Sequence, residues 1–292
     1  MRVFDLHCDT LTRCMNRGER LARASGHISL ERGGAFERWG QVFAVFVPDT
    51  LQGEAATAYA RRALDFYDTQ RGEIERACTP VLALENGNAL AGDIDRLEEF
   101  YARGVKIITL TWNGANELGY GAHCGASLGL TQFGKAAVRR MLALGVIPDV
   151  SHLNEAGFWD VAELAAACGG TFWATHSNCS NIQPHCRNLS DEQLRAVFAA
   201  DGLVGINLYT DFLGGEGTAQ DAARHLAHLI ELGGEDNAAL GSDFDGCDIH
   251  PSLAGIERLA FLDEEMGRFG FTAKQRKKFF WSNTAKLLAK HA

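Results

Sequence analysis

The chain is 292 residues long, 46% hydrophobic and 22% charged, the make-up of an ordinary globular protein rather than a disordered or fibrous one. With 28 Lys and Arg against 37 Asp and Glu, its net charge of −9 gives no reason to expect nucleic-acid or anionic-membrane binding. Its 8 cysteines contain no CxxC pair, no apolar run approaches a membrane span, and the first residues read as a strand, so a cytoplasmic protein with reduced thiols is expected.

In chain order, short β-rich runs alternate with amphipathic helical patterns. Residues 3–6 read as a first strand that runs straight into His7-Cys8-Asp9. Strand side chains alternate with a period of two, which puts His7 and Asp9 on one side and Cys8 on the other. An imidazole and a carboxylate pointing together from a strand end suit zinc or a related ion, although the two can also simply bond to each other. Residues 13–38 are polar and glycine-bearing, and read as an extended loop with a short helix. Further strands are expected at 42–47, 81–84, 105–111, 146–150, 171–175, 203–207 and 238–241. Helical patterns occupy 55–71, 94–103, 133–144, 155–167, 191–200 and 219–232, with one or two more helices in 272–291. Ser190 ahead of Asp191-Glu192 reads as an N-cap, and Gly169-Gly170 and Gly233-Gly234 as helix ends.

Strand candidates separated mostly by helices point to parallel strands joined by right-handed crossovers. Their number and the chain length fit a (β/α)8 TIM barrel, a single domain spanning 1–292. An open doubly wound sheet is the rival, but no strand is followed by a GxGxxG turn.

The unusual polar residues fall on one rim of that outline. His7 and Asp9 follow the first strand, Glu85 the third, His152 the fifth, His176 the sixth, and Asp243 and Asp245 the eighth. A barrel keeps its active site at these carboxyl ends. Singly, each has an ordinary explanation: a satisfied histidine, a cap partner, a turn former. Three histidines together with carboxylates from three different strand ends point instead to paired metal ions bridged by a carboxylate.

An ordered set of segments carries a resemblance. It comprises residues 5–10, Leu84-Glu85-Asn86-Gly87, Thr109-Leu110-Thr111, Gly129-Leu130-Thr131-Gln132-Phe133-Gly134, Asp149-Val150-Ser151-His152, Thr175-His176-Ser177, Arg187-Asn188-Leu189 and Gly241-Ser242-Asp243-Phe244-Asp245-Gly246. The set spans nearly the whole chain and resembles the membrane dipeptidase (renal dipeptidase) family, metallopeptidase family M19, among the amidohydrolase-like barrels. The resemblance implies a zinc-dependent dipeptidase with two Zn2+ per chain. His7 and Asp9 would hold one ion, His152 and His176 the other, and Glu85 would bridge them. Asp243 would add a ligand and manage protons around the shared hydroxide that attacks the peptide bond. Spacing alone does not separate Asp243 from Asp245, which the family pattern casts in support. Arg187 would receive the terminal carboxylate of a dipeptide in its planar fork; without the resemblance it reads as a surface arginine. The family also implies tolerance of a D-residue at the C-terminal position, and leaves a homodimer open with no interface legible.

One position departs from the pattern. Mammalian members carry a histidine where this chain has Trp112, whose indole offers a donor but cannot accept a proton. Asn113, Asn116 and His123 on the following loop are candidates to take its place, and the ions can carry much of the oxyanion stabilisation. Tyr209 could line the pocket or simply pack. His225 and His228 read as the surface of a helix. Two rival functions stand beside the dipeptidase: a hydrolase of cyclic amides, lactones or phosphoesters on the same barrel, and a non-catalytic metal-binding scaffold.

Overall fold

Runs such as Val42-Phe43-Ala44-Val45 are buried without alternation, as expected of strands covered on both faces. The computed structural model describes residues 1–125 and 127–290. Its strands are β1 (Arg2–Cys8), β2 (Arg38–Phe46), β3 (Thr79–Glu85), β4 (Val105–Thr109), β5 (Ile147–Asp149), β6 (Val204–Ile206) and β7 (Ala238–Leu240). They form one seven-stranded sheet in the order β5-β4-β3-β2-β1-β7-β6, and every pairing is parallel.

The strand expected at 171–175 is not formed as such. Trp173 bridges Asp149 of β5, and Ala174 bridges Val204 of β6. Trp173 N donates to Pro148 O at 3.0 Å, and Gly205 N to Ala174 O at 2.8 Å. The segment therefore lies between the two ends of the sheet. Its ladder stays short because Pro148, whose carbonyl faces it, has no N–H to add a bond on that side. β5 and β6 are also only three residues each.

Side chains from every strand position fill the ring. Phe4, Leu6, Val42, Ala83, Ile107, Ile147, Trp173, Leu203 and Ala239 form an inner cluster. The C-terminal helical segment, with a π-helical turn at Lys278–Ser282, plugs the amino-terminal end. Its Trp281 ring lies 5.7 Å from that of Phe4. A second, larger cluster joins the outer strand faces to the helices. Helix Glu54–Asp68 presents Ala56, Ala60, Ala63, Leu64 and Tyr67 to it, a stripe with helical spacing. Among the described residues no helix is long and apolar enough to cross a membrane.

β1 ends irregularly, and this sets up the site. Phe4 and Leu6 face the inner cluster, but Cys8 packs in the outer one. Regular alternation would hold all three on one side. A register shift between Asp5 and Cys8 turns the strand end over, as a bulge does, and brings His7 to the rim. Cys8 does point away from His7 and Asp9, but through the bulge. The following loop is also more ordered than its composition indicates. Helix Thr10–Arg17 begins directly after Asp9, which occupies the N-cap without making a side-chain cap bond. That leaves the Asp9 carboxylate free for other partners.

Candidate functional site

The carboxyl ends of the strands bring His7, Asp9, Glu85, His152, His176 and Asp243 together, each buried. Glu85, the last residue of β3, sits at the centre. Its Oε2 lies 3.2 Å from His7 Nε2, while its Oε1 lies 3.1 Å from His152 Nε2 and 3.8 Å from His176 Nε2. His7 Nε2 is also 3.5 Å from Asp9 Oδ2 and 3.9 Å from Asp243 Oδ1. Nitrogen and oxygen donor atoms thus fall into two groups within 4.8 Å, His7–Glu85–His176 and His7–Asp9–Asp243.

The backbone is bent to achieve this. His152, Asp243 and Asp245 have φ of 70°, 60° and 68°, and Asn86, just after Glu85, has 79°. Left-handed geometry at non-glycine residues costs about 1 kcal/mol or more each and tends to gather at functional sites.

The ring nitrogens that face outward are anchored. His152 Nδ1 lies 2.9 Å from Asn113 Oδ1, and His176 Nδ1 lies 2.8 Å from Thr175 Oγ1. Asn113 presents a carbonyl oxygen, so Nδ1 of His152 carries the proton and Nε2 keeps its lone pair. That lone pair faces the Glu85 carboxylate, an arrangement that calls for a cation. Moreover His176 Nε2 and Asp9 Oδ1 are buried without any hydrogen-bond partner, and His7 Nε2 and Glu85 Oε2, 3.2 Å apart, face each other without a well-formed hydrogen bond. Each such orphan costs about 1–3 kcal/mol, more when charged. Orphaned imidazole and carboxylate atoms aimed at common points fit divalent metal ions of the zinc type.

For His152 and His176 the electrostatics favour the neutral, ligating imidazole. Burial, then Arg187 and His7, hold the His152 imidazolium well below its ordinary range; burial, His7 and His152 do the same for His176. Burial also opposes charge on His7, but the Glu85 and Asp9 carboxylates outweigh it and push its pKa well up. The Asp9 carboxyl is raised to about 7 by burial and then by Glu85. Asp243 is raised by burial, even though His7 pulls the other way. Its Oδ2 accepts from Asn207 Nδ2 at 2.9 Å, leaving Oδ1 to face the cluster.

Above the cluster opens a cavity of about 880 Å³ whose lining includes Asp9, Glu85, His152, Asp243, Arg187, Trp112 and Tyr209. Arg187 is only 4% exposed, contrary to a surface reading. Its guanidinium stacks over Phe212 at 5.3 Å, and Nε and Nη2 have no hydrogen-bond partner. Burial pulls its pKa down to about 10 despite the pull of Asp243, Asp149 and Glu85. Tyr209 donates its hydroxyl to Asp211 Oδ2 at 2.9 Å. The Trp112 ring sits edge-on to Phe46 at 5.2 Å and 6.2 Å from the His152 ring.

Of the three candidates near Trp112, Asn113 backs His152 and His123 lines the cavity. Asn116 is consumed by bonds to Asn86 and Leu110 O. Asp245 plays a supporting part: it accepts from Thr10 Oγ1 at 2.6 Å and His27 N at 2.7 Å, tying neighbouring loops to the site. The surface reading of His225 fails. It is fully buried, with Cys179 N donating to its Nδ1 at 3.1 Å and its Nε2 donating to Leu213 O at 3.1 Å. The helix turns this histidine toward the loop that carries Arg187. His228 is partly buried and meets Asp191. Sequence reasoning also passed over Asn207, Asp5 and Asp149. For Asp5 and Asp149 the available signal was an aspartate two or three residues ahead of a candidate ligand; for Asn207 there was none.

The model of the membrane dipeptidase family (peptidase family M19) matches residues 1–292. A Klebsiella pneumoniae relative, described as an uncharacterized protein in the pqqA 5' region, is 34% identical over 240 residues, covering 78% of this chain and 88% of its own. The crystal structure of a metallopeptidase described as dipeptidase AC, of family M19, superposes with a TM-score of 0.90 at 29% identity, covering 100% of this chain and 98% of that one. A metallopeptidase from Rhodobacter sphaeroides, liganded with a phosphinate mimic of the dipeptide L-Ala-D-Ala, gives 0.89 at 28% identity, with 100% and 99% covered.

Proposed function

Because the chain belongs to the membrane dipeptidase family, peptidase family M19, we propose that it hydrolyses the peptide bond of dipeptides in a zinc-dependent reaction. The single observation that carries this reading is the set of orphaned imidazole and carboxylate atoms beneath a cavity whose wall holds a buried, unpaired Arg187. His7 and Asp9 would hold one Zn2+, His152 and His176 a second, with Glu85 between them and Asp243 beside the first. Zinc bound there supplies Lewis acidity for the scissile carbonyl and lowers the pKa of water near neutrality.

The chain's own residues do the rest. Arg187 pairs with the substrate's terminal carboxylate through two N–H groups that otherwise lack partners, which favours a short peptide over an internal bond. Asp243, held by Asn207 and raised toward the protonated form by burial, takes a proton from the attacking water and passes it to the leaving amine. Trp112 and Phe46 form an apolar wall that shields one side of the cavity, and Tyr209 lines it near Phe212. The likeness to the Rhodobacter sphaeroides protein supports acceptance of a D-residue at the C-terminal position. The bridges of Trp173 and Ala174 support a (β/α)8 barrel with that segment in the sixth position.

The test is a panel of L,L and L,D dipeptides with the zinc-loaded protein. Failure to hydrolyse any of them would refute the proposal. Capping the carboxylate as an amide should remove most turnover; indifference to the cap would show that the carboxylate is not read and favour a substrate without one, such as a cyclic amide, lactone or phosphoester.

A further inference from the structure

Beneath the cluster lie two buried carboxylates that touch none of the cavity. Asp5 Oδ1 accepts from Ser242 N at 2.8 Å and His7 N at 3.4 Å, and its Oδ2 accepts from Ser242 Oγ at 2.6 Å and Gln41 Nε2 at 3.0 Å. Asp149 repeats the pattern. Its Oδ1 accepts from Thr175 N and Ser151 N, both at 3.0 Å, and its Oδ2 from Thr175 Oγ1 and Thr109 Oγ1, both at 2.6 Å. In each case one carboxylate takes the N–H and the hydroxyl of a single residue on the neighbouring strand end, together with the N–H two positions along its own chain.

The residues so clamped sit next to the candidate ligands. Ser242 precedes Asp243, and the Asp5 contact on its own strand is the backbone of His7. Thr175 precedes His176, and Ser151 precedes His152. The two cross-links share no residue. The Asp149 link reaches further, because Thr175 spends its one hydroxyl proton on Asp149. Its oxygen can then only accept from His176 Nδ1, which leaves Nε2 unprotonated and able to bind metal.

We infer that Asp5 and Asp149 are paired positioning residues, each governing one half of the metal centre: Asp5 the half of His7 and Asp243, Asp149 the half of His152 and His176. The inference rests on the two-ion reading above. Asparagine at either position should break its half for a definite reason. The backbone N–H donors hold the amide oxygen at the Oδ1 position, so the NH2 group must face the hydroxyl. In Asp149→Asn that NH2 donates to Thr175 Oγ1, whose proton turns to His176 Nδ1 and favours the tautomer protonated at Nε2.

The experiment is a cobalt and zinc titration of metal-stripped protein, with imidazole 15N NMR to identify which histidines are occupied and in which tautomer. The wild type should take up two ions. Asp149→Asn should weaken the site of His152 and His176 about 10–100-fold, the usual effect of removing an outer hydrogen-bond partner of a ligand, and move the His176 proton to Nε2. Asp5→Asn should weaken the other site by a similar factor and leave His176 unchanged. Thr175→Ala and Ser242→Ala remove a smaller part of each link and should reproduce the same site selectivity, which keeps the test decisive if an asparagine variant does not fold. Loss of affinity at both sites alike, or a lower melting temperature of the metal-free protein with both affinities intact, would overturn the inference. A wild type that binds one ion would instead refute the two-ion reading, and that outcome is visible before any variant is made.

Discussion

Replacing Arg187 by methionine should make the protein more stable and less active. Arg187 is 4% exposed, and its Nε and Nη2 are buried without partners. Each orphan costs about 1–3 kcal/mol. Methionine removes both while filling similar space, and forfeits the contact over Phe212, worth about 0.5–2 kcal/mol. Two orphans at that cost amount to about 2–6 kcal/mol, so the net gain is about 0–5 kcal/mol with a middle value of about 3, or a rise of several degrees in melting temperature at about 2 °C per kcal/mol for a chain of this size. With substrate the sign reverses. Truncating one partner of a buried charge pair costs about 2–5 kcal/mol, so kcat/KM for a free dipeptide should fall by about 30-fold to several thousand-fold. For the amide-capped dipeptide, wild type and variant should differ little. The assay pairs calorimetry of the metal-loaded proteins with initial rates on both substrates. A variant that melts earlier and keeps its kcat/KM within a few-fold would show Arg187 to be a packing residue and refute the reasoning.

Stripping the protein with a chelator should abolish hydrolysis, and zinc should restore it; activity that survives at undetectable metal content would contradict the role assigned to the donor cluster. Asp243→Asn, assayed at saturating zinc, should lower kcat by about 10²–10⁴-fold, the usual contribution of a positioned acid–base group. His225 supplies a pH test away from the centre. Burial, offset in part by its bond to Leu213 O, lowers its pKa to about 4 from 6.5. A depressed histidine stabilises the fold above the unfolded-state value, and that stability is lost as pH falls from about 6.5 towards about 4. The loss should reach about 3 kcal/mol, and His225→Gln should flatten it, as read from denaturant unfolding at several pH values. An unchanged slope in the variant would place the titration elsewhere.

How much of this was legible in advance depended on the range of the forces involved. The convergence of His7, Asp9, Glu85, His152, His176 and Asp243 could be anticipated because each follows an apolar run, and parallel strands bring their carboxyl ends to one rim. Helix positions such as Gln132–Leu144 and Glu155–Cys168 follow from apolar periodicity, and the start of Asp191–Ala199 from its Ser190 cap. Long-range contacts were invisible. The incomplete strand around Trp173 depends on Pro148 opposite it, and the turned-over end of β1 on a register shift against β2. Helix Thr10–Arg17 is short and polar, and packing of Leu11 and Cys14 rather than propensity holds it. The burial of Arg187 and His225 likewise arises from loops folded over them, which no local pattern records.

The seam between the first and last strands has a kinetic consequence. β1 meets β7 through one registered pair, Asp5 and Leu240, and beyond it the Cys8–Phe244 bridge continues the seam, with Asp243 N donating to His7 O at 3.1 Å and Asp9 N to Phe244 O at 2.8 Å. This ladder has fewer registered pairs than the one between β1 and β2, and the Asp5–Ser242 link across it joins residues 237 apart in sequence. Opening of that edge would separate His7 from Asp243. On the proposed two-ion reading, the rate at which an ion leaves the half held by His7 should therefore follow amide exchange at Ser242 and Asp243, making metal release a clock for local opening of the seam.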